Sequence, residues 1–143
     1  MEYRKQAHCT YHTRYHLVFV TKYRRKIFRK NLGPYVEAVM RNVTRKYPEI
    51  DLLEANTDGD HIHLMVSVPP RMAVSDAVRL LKTNSSRAVR QRFPFVRSMY
   101  DHADMPLWSD GYFVSTVGVD EATIKRYIEM QGQEDKGQTK FDW

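Results

Sequence analysis

Residues 50–68 read IDLLEANTDGDHIHLMVSV. Two apolar-rich runs, 50–55 and 61–68, flank NTDGD, whose Asp58-Gly59 step favours a tight reversal, so the segment reads as a β-hairpin. Strict alternation in the second run places Ile62, Leu64, Val66 and Val68 on one face and His61, His63, Met65 and Ser67 on the other. The first set is a core face. The second presents two imidazoles side by side, a geometry able to chelate one divalent ion. A pair of exposed strand histidines with no role is the competing reading of the same two residues.

Upstream, YHLVFVT at 15–21 alternates Tyr15, Leu17 and Phe19 against His16, Val18 and Val20, and reads as a first strand. The basic connection KYRRKIFRKN leads to Leu32, Tyr35, Val36, Val39, Met40, Val43 and Tyr47, whose spacing predicts a helix ending near Pro48. Downstream of Pro69-Pro70, Ser75 is placed to cap a helix with the apolar stripe Val78, Leu81, Ala88 and Val89, stopped by Pro94. Residues 95–106 have no clear period and read as a loop. A fourth strand is predicted over 112–117, bracketed by Gly111 and Gly118. Asp120 then caps a last helix with Ile124, Tyr127, Ile128 and Gln131 on one face, followed by a polar tail.

The order β-α-β-β-α-β plus a C-terminal helix predicts an α+β, ferredoxin-like (RRM-like) fold with a four-stranded antiparallel sheet. Right-handed crossovers leave a gap between the first two strands, into which the third inserts, so the histidine strand is central. Two helices cover one sheet face. The other is open to a ligand, a partner or the last helix. At 143 residues the chain is expected to be one domain, 1–143, with 119–143 as its tyrosine-bearing helix and tail.

Apolar residues make up 42% of the chain, enough for a core, yet no apolar run approaches the roughly 20 residues needed to span a bilayer. The start MEYRKQAHCT lacks the apolar stretch of a secretion signal, and Cys9 is the single cysteine, which excludes an internal disulfide. A cytoplasmic protein without a membrane association is expected. Lys plus Arg number 23 against 17 acids, and the excess is localised: residues 1–30 hold nine bases and one acid, and residues 71–97 hold seven bases and one acid. Two Arg-rich blocks interleaved with Tyr23, Phe28 and Phe93 point to nucleic acid, because guanidinium groups bind phosphate bidentately and stack on bases. One such block alone would more often be a solvated helix face.

Tyr127 and Gln131 are four apart, so on a helix a phenol stands beside an amide ligand, with Cβ atoms about 5 to 6 Å apart. With His61 and His63 this suggests a metal site next to a tyrosine nucleophile. A core aromatic on an amphipathic helix is the plainer account of Tyr127. His8, His12 and His16 keep helical spacing on a segment that reads as a strand, and are assigned no metal.

Four ordered motifs, YHLVFVTKYRRKIF (15–28), DHIHLMVSVPP (60–70), WSDGYFVSTVG (108–118) and IKRYIEMQ (124–131), cover nearly the whole chain. Together they resemble the single-tyrosine HUH transposases of prokaryotic insertion sequences, often called TnpA. One departure is visible: where the family often has Gly after Leu81-Lys82, Thr83-Asn84 precede Ser85-Ser86-Arg87. The resemblance implies cleavage and rejoining of single-stranded DNA at element ends through a 5′-phosphotyrosine on Tyr127. It implies a divalent cation, Mg2+ or Mn2+, held by His61, His63 and Gln131. It also implies hairpin DNA as partner and a homodimer whose active site is shared between subunits. Lys22, Arg24, Arg25, Arg29, Lys82 and Arg87 are the expected DNA-binding residues. Two alternatives stay open: a domesticated relative acting on chromosomal palindromes, and a non-catalytic RRM-like module, although the latter wants stacking aromatics where His61 and His63 stand.

Overall fold

The histidine strand is central. In the computed structural model, which describes residues 3–6, 9–100, 107–118 and 120–137, β3 (Arg14–Val20) and β5 (His61–Ser67) form the middle of an antiparallel four-stranded sheet. The outer strands are β4 (Asp51–Asp58) beside β5 and β6 (Phe113–Ser115) beside β3. Val18 faces His63 and Val20 faces His61 across the β3–β5 ladder, so the imidazoles share their sheet face with His16, Val18 and Val20. The β4–β5 hairpin closes through Gly59 and Asp60, because Asp58 pairs with His61. Gly59 has φ +54°, the conformation a two-residue reversal requires at its first central position.

Helices α1 (Leu32–Lys46) and α2 (Val74–Arg92) cover the opposite face. Leu17, Phe19, Ile62, Leu64 and Val66 from the sheet meet Val36, Val39, Met40 and Val43 of α1 and Ala77, Val78, Leu81 and Val89 of α2 in one buried core. The apolar periodicities of 2 and 3.6 are thus satisfied against each other. Trp108, fully buried, packs edge-on to Phe19, and its indole N–H donates to Ser85 Oγ at 2.9 Å. Ser86 Oγ accepts from Leu107 N at 3.2 Å. The Ser85-Ser86 pair therefore anchors the 107–108 segment to α2 by satisfying donors that would otherwise be buried alone.

Three sequence expectations are corrected. Ser75 does not cap α2: the helix starts two residues earlier than that cap would place it, at Val74 behind Ala73, whose carbonyl accepts from Ala77 N and whose side chain offers no cap. The 95–106 segment is not all loop, since α3 (Pro94–Met99) follows one extended residue, Phe93; proline fits the first turn of a helix, and six residues are too few to show a period. Residues 101–106 lie outside the described part. The fourth strand is shorter than its predicted 112–117 span, because beyond Ser115 its own hydroxyl receives Val117 N in a turn. A hairpin of β1 (Arg4–Gln6) and β2 (Cys9–Tyr11) precedes β3 and had no sequence signal. The Asp120 cap is present: its carboxylate accepts from Thr123 N at 2.7 Å at the start of α4 (Glu121–Asp135). No helix among the described residues is long and apolar enough to cross a membrane.

Candidate active site

α4 supplies what the second sheet face lacks. Tyr127 and Ile128 pack on Val18 and Val20, with Phe113 and Ile124 at the margin, in a cluster separate from the main core. Because Val18 and Val20 are the register partners of His63 and His61, the tyrosine helix is seated over the strand that neighbours the histidine strand. The Tyr127 ring lies 5.8 Å from that of Phe113, toward the β6 edge. Gly111 is the wall there: a Cβ on it would stand 2.9 Å from Gln131 Oε1 and 3.4 Å from the Tyr127 hydroxyl. Glycine is needed for this close approach.

The Tyr127 hydroxyl is buried and has no hydrogen-bond partner among the described residues. Burial, with the Glu134 and Asp135 carboxylates adding to it, raises the phenol well above its ordinary pKa. Gln131 is buried beside it.

On the histidine strand, His61 Nδ1 is 3.0 Å from Asp60 Oδ1, and Asp60 Oδ2 is 3.3 Å from Arg24 Nε. Burial favours the neutral carboxyl of Asp60, but its bonds to His61 and Arg24 outweigh this and hold it below the usual carboxylate range. A carboxylate behind an imidazole is the arrangement that orients metal-ligating histidines, and it leaves His61 Nε2 available. His63 Nε2 is 3.1 Å from His16 Nδ1, with the rings parallel to within 4°. Burial, with the charge of His16 second, lowers the His63 pKa and favours the neutral imidazole that a metal requires. Among the described residues no three His, Cys, Asp or Glu side chains form a metal-binding group. The expected set of two imidazoles and one amide is not of that kind, and its donors suit a divalent ion.

The foot of α4 is tied to the body through Asp135. Its carboxylate, with the side chain 2% exposed, accepts from Tyr23 N at 2.8 Å and from Ser109 Oγ, and lies 3.5 Å from Lys22 Nζ. Asp135 had no signal in the sequence beyond its acidic tail setting. One turn earlier Gly132 lets the Arg24 side chain cross the helix, since a Cβ there would come within 2.9 Å of Arg24 Cγ and closer still to Cδ.

Four of the six cations expected to bind DNA are engaged by residues distant in sequence. Lys22 pairs with Asp135, and Arg24 with Asp60. Arg25 donates to Met99 O and sits 4.8 Å from the Tyr100 ring centroid. Lys82 Nζ donates to the carbonyls of Ser109 and Gly111, both at 2.7 Å, and to that of Asp110 at 3.3 Å. Arg29 and Arg87 are exposed. Arg87 lines a groove of about 710 Å³ with Arg79, Arg90, Arg97 and Tyr112. Arg90 Nε there is buried without a hydrogen-bond partner among the described residues.

A basic α+β domain with a tyrosine helix laid across the histidine face of its sheet is the architecture of a transposase. The chain belongs to the IS200-like transposase family, whose model matches residues 9–131. It is 35% identical over 130 residues to the transposase for insertion sequence element IS200 of Salmonella typhimurium, covering 91% of this chain and 84% of that one. It is 26% identical over 132 residues to the ISDra2 transposase TnpA of Deinococcus radiodurans, covering 92% of each. Among solved structures, a chain from Deinococcus radiodurans described provisionally as a transposase superposes with a TM-score of 0.76 at 27% identity, over 90% of this chain and 97% of that one. A REP-associated tyrosine transposase bound to a REP hairpin shares the fold, with a TM-score of 0.52 at 14% identity over 100% and 79%. The protein is thus a transposase of the IS200-like family, acting in DNA transposition.

Proposed function

We propose that this transposase cleaves and rejoins single-stranded DNA at the ends of an insertion sequence, with Tyr127 as nucleophile. The observation that carries the reading is the seat of Tyr127 on Val18 and Val20, the register partners of His63 and His61. Tyr127 Oη attacks the scissile phosphorus and forms an O–P bond, the P–O3′ bond breaks, and the tyrosine proton ends on the departing 3′ oxygen. The products are a 5′-phosphotyrosine and a free 3′-hydroxyl. Attack by a 3′-hydroxyl on the phosphotyrosine reverses the step and joins strands, so no external energy source is needed.

His61, His63 and Gln131 would hold a divalent cation, Mg2+ or Mn2+. When bound it supplies Lewis-acid polarisation of the phosphate. Asp60 orients His61. α4 carries Tyr127 and Gln131 on one face, so both move with it. A hairpin-forming single strand is the proposed substrate, since Arg29 and the groove around Arg87 offer cations to a phosphate backbone.

We further propose a homodimer whose tyrosine helix can serve the histidine pair of the partner. Thr116, Val117 and Gly118 before α4 are exposed, and a Cβ on Gly118 would meet nothing within 4 Å among the described residues. An exposed connection of this kind can change course without disturbing the core.

The test is incubation with end-labelled single-stranded DNA from the flanks of the gene and denaturing gel analysis. A covalent adduct mapping to Tyr127, lost in Tyr127→Phe, is expected; an adduct on Tyr112 or Tyr23 would refute the assignment. For the shared site, Tyr127→Phe mixed with His61→Ala should recover cleavage once heterodimers form. A mixture that stays inactive despite verified heterodimers means docking within one chain.

A further inference from the structure

Each imidazole has two ring nitrogens, and one engaged by a protein neighbour is not free to ligate an ion. In both members of the histidine pair one nitrogen is already engaged, by different partners. His61 Nδ1 faces Asp60 Oδ1 at 3.0 Å. His63 Nε2 faces His16 Nδ1 at 3.1 Å. His16 lies on β3, two residues from the Val18 that pairs with His63, and on the same sheet face. Its ring is parallel to that of His63 within 4°, with centroids 5.3 Å apart. At this separation the two nitrogens share one proton, so one donates and the other accepts.

We infer that His16 is a positioning residue of the metal-binding pair: it engages His63 Nε2 and leaves Nδ1 of His63, together with Nε2 of His61, to face the ion. This rests on the reading of His61 and His63 as ligands given above. It fixes the tautomers. His63 carries its proton on Nε2 and donates it to His16 Nδ1, so the proton of His16 is on its own Nε2. The site is then asymmetric. His61 is backed by an anion, Asp60, and His63 by another imidazole, which makes His61 the more electron-rich ligand. It is also built across strands, since the support of His63 comes from β3, the strand on which Tyr127 packs.

The experiment is 15N NMR of the full chain labelled at histidine, first without added ions and then titrated with Zn2+ as a diamagnetic probe. The ion-free spectrum should show His63 protonated at Nε2. Zn2+ should shift His61 Nε2 and His63 Nδ1 in the direction of metallation and leave both nitrogens of His16 unmetallated. In His16→Ala the Zn2+ affinity should fall about tenfold, the loss typical for removal of a ligand's supporting partner. His16→Asn, which keeps an acceptor oxygen, should recover part of it.

Metallation of His63 at Nε2, or an Nδ1 proton on His63 in the ion-free protein, would overturn the inference while leaving the ligand pair intact. A Zn2+ shift at neither His61 nor His63 would instead overturn the ligand reading, with the His63 tautomer still testing His16. If His16→Ala does not fold, the wild-type spectra decide the matter alone.

Discussion

Lys82 Nζ and Gly111 O are 2.7 Å apart, so an ammonium on α2 holds the one residue whose missing side chain makes room for the Tyr127 hydroxyl and the Gln131 amide. The same nitrogen donates to Ser109 O, and Ser109 Oγ in turn donates to Asp135 of α4. A chain of polar contacts therefore runs from the core helix to the foot of α4. In the sequence Lys82 is merely one cation of a basic block.

Lys82 gives a pH dependence with a definite sign. Burial pushes its ammonium down to about 8, against an upward pull from the Asp110 and Asp135 carboxylates. Between about pH 8 and the usual value of 10.5 the unfolded chain keeps a proton that the folded chain has released. The unfolded state binds more protons there, so this group makes stability rise with pH across that window. Lys82→Met has no proton to release. The stability of the wild type relative to the variant should therefore increase from pH 8 to pH 10 in urea titrations, and a constant difference would contradict the assignment.

Tyr127→Phe should separate stability from activity. The hydroxyl is buried without a partner among the described residues, and a buried polar group left unpaired costs on the order of 1 kcal/mol or more. Its removal should leave the fold as stable or raise ΔG of unfolding by about 1 kcal/mol, while adduct formation disappears. Denaturant titration beside the gel assay reads both. A destabilised Tyr127→Phe would mean that the hydroxyl has a bonded partner in solution.

Asp135→Asn should loosen the foot of α4. The substitution removes the charge that faces Lys22, leaving that ammonium only the exposed Asp110 carboxylate at 4.0 Å. Breaking a buried pair by removing one partner costs about 3 kcal/mol. The expected signs are a loss of that order in unfolding free energy and faster proteolysis in the 116–120 connection. If Lys22→Met in the same chain recovers most of the loss, the coupling is the ion pair itself; additive losses would assign the role to the Tyr23 and Ser109 hydrogen bonds.

The sheet was legible because alternation commits a strand to both faces at once. At 61–68 the apolar set could only face helices, and the register then sends His61 and His63 to the side where α4 lies. Helix α1 and the Asp120 cap were legible for similar local reasons. The three-residue strands β1 and β2 and the six-residue α3 are shorter than any period that sequence can display. Partnerships between distant residues left no trace either. That Ser85 would receive the Trp108 indole, or that Gly132 would lie under Arg24, depends on a tertiary approach of 23 and 108 residues in sequence. Charge counting has the same limit, because a long cationic side chain can turn inward to carbonyls, as Lys82 and Arg25 do.

That inward turn changes which cations should govern DNA binding. Lys22, Arg24, Arg25 and Lys82 already have partners within the chain, so neutralising them perturbs the fold as well as the affinity. Among the described residues Arg29 uses only its Nε, donating to Lys26 O at 2.7 Å, and is exposed. Arg87 is exposed on the groove side of α2. Each phosphate contact contributes about 0.7 to 0.9 to the slope of log affinity against log salt. Arg29→Ala with Arg87→Ala should therefore flatten that slope by about 1.5 on a hairpin-bearing single strand, with the melting temperature unchanged. Arg25→Ala, by contrast, should lower the melting temperature through loss of its Met99 and Tyr100 contacts. Measuring affinity by fluorescence anisotropy at several salt concentrations, with melting curves alongside, separates the two classes. An unchanged slope in the Arg29 and Arg87 double variant would show that the DNA backbone runs elsewhere.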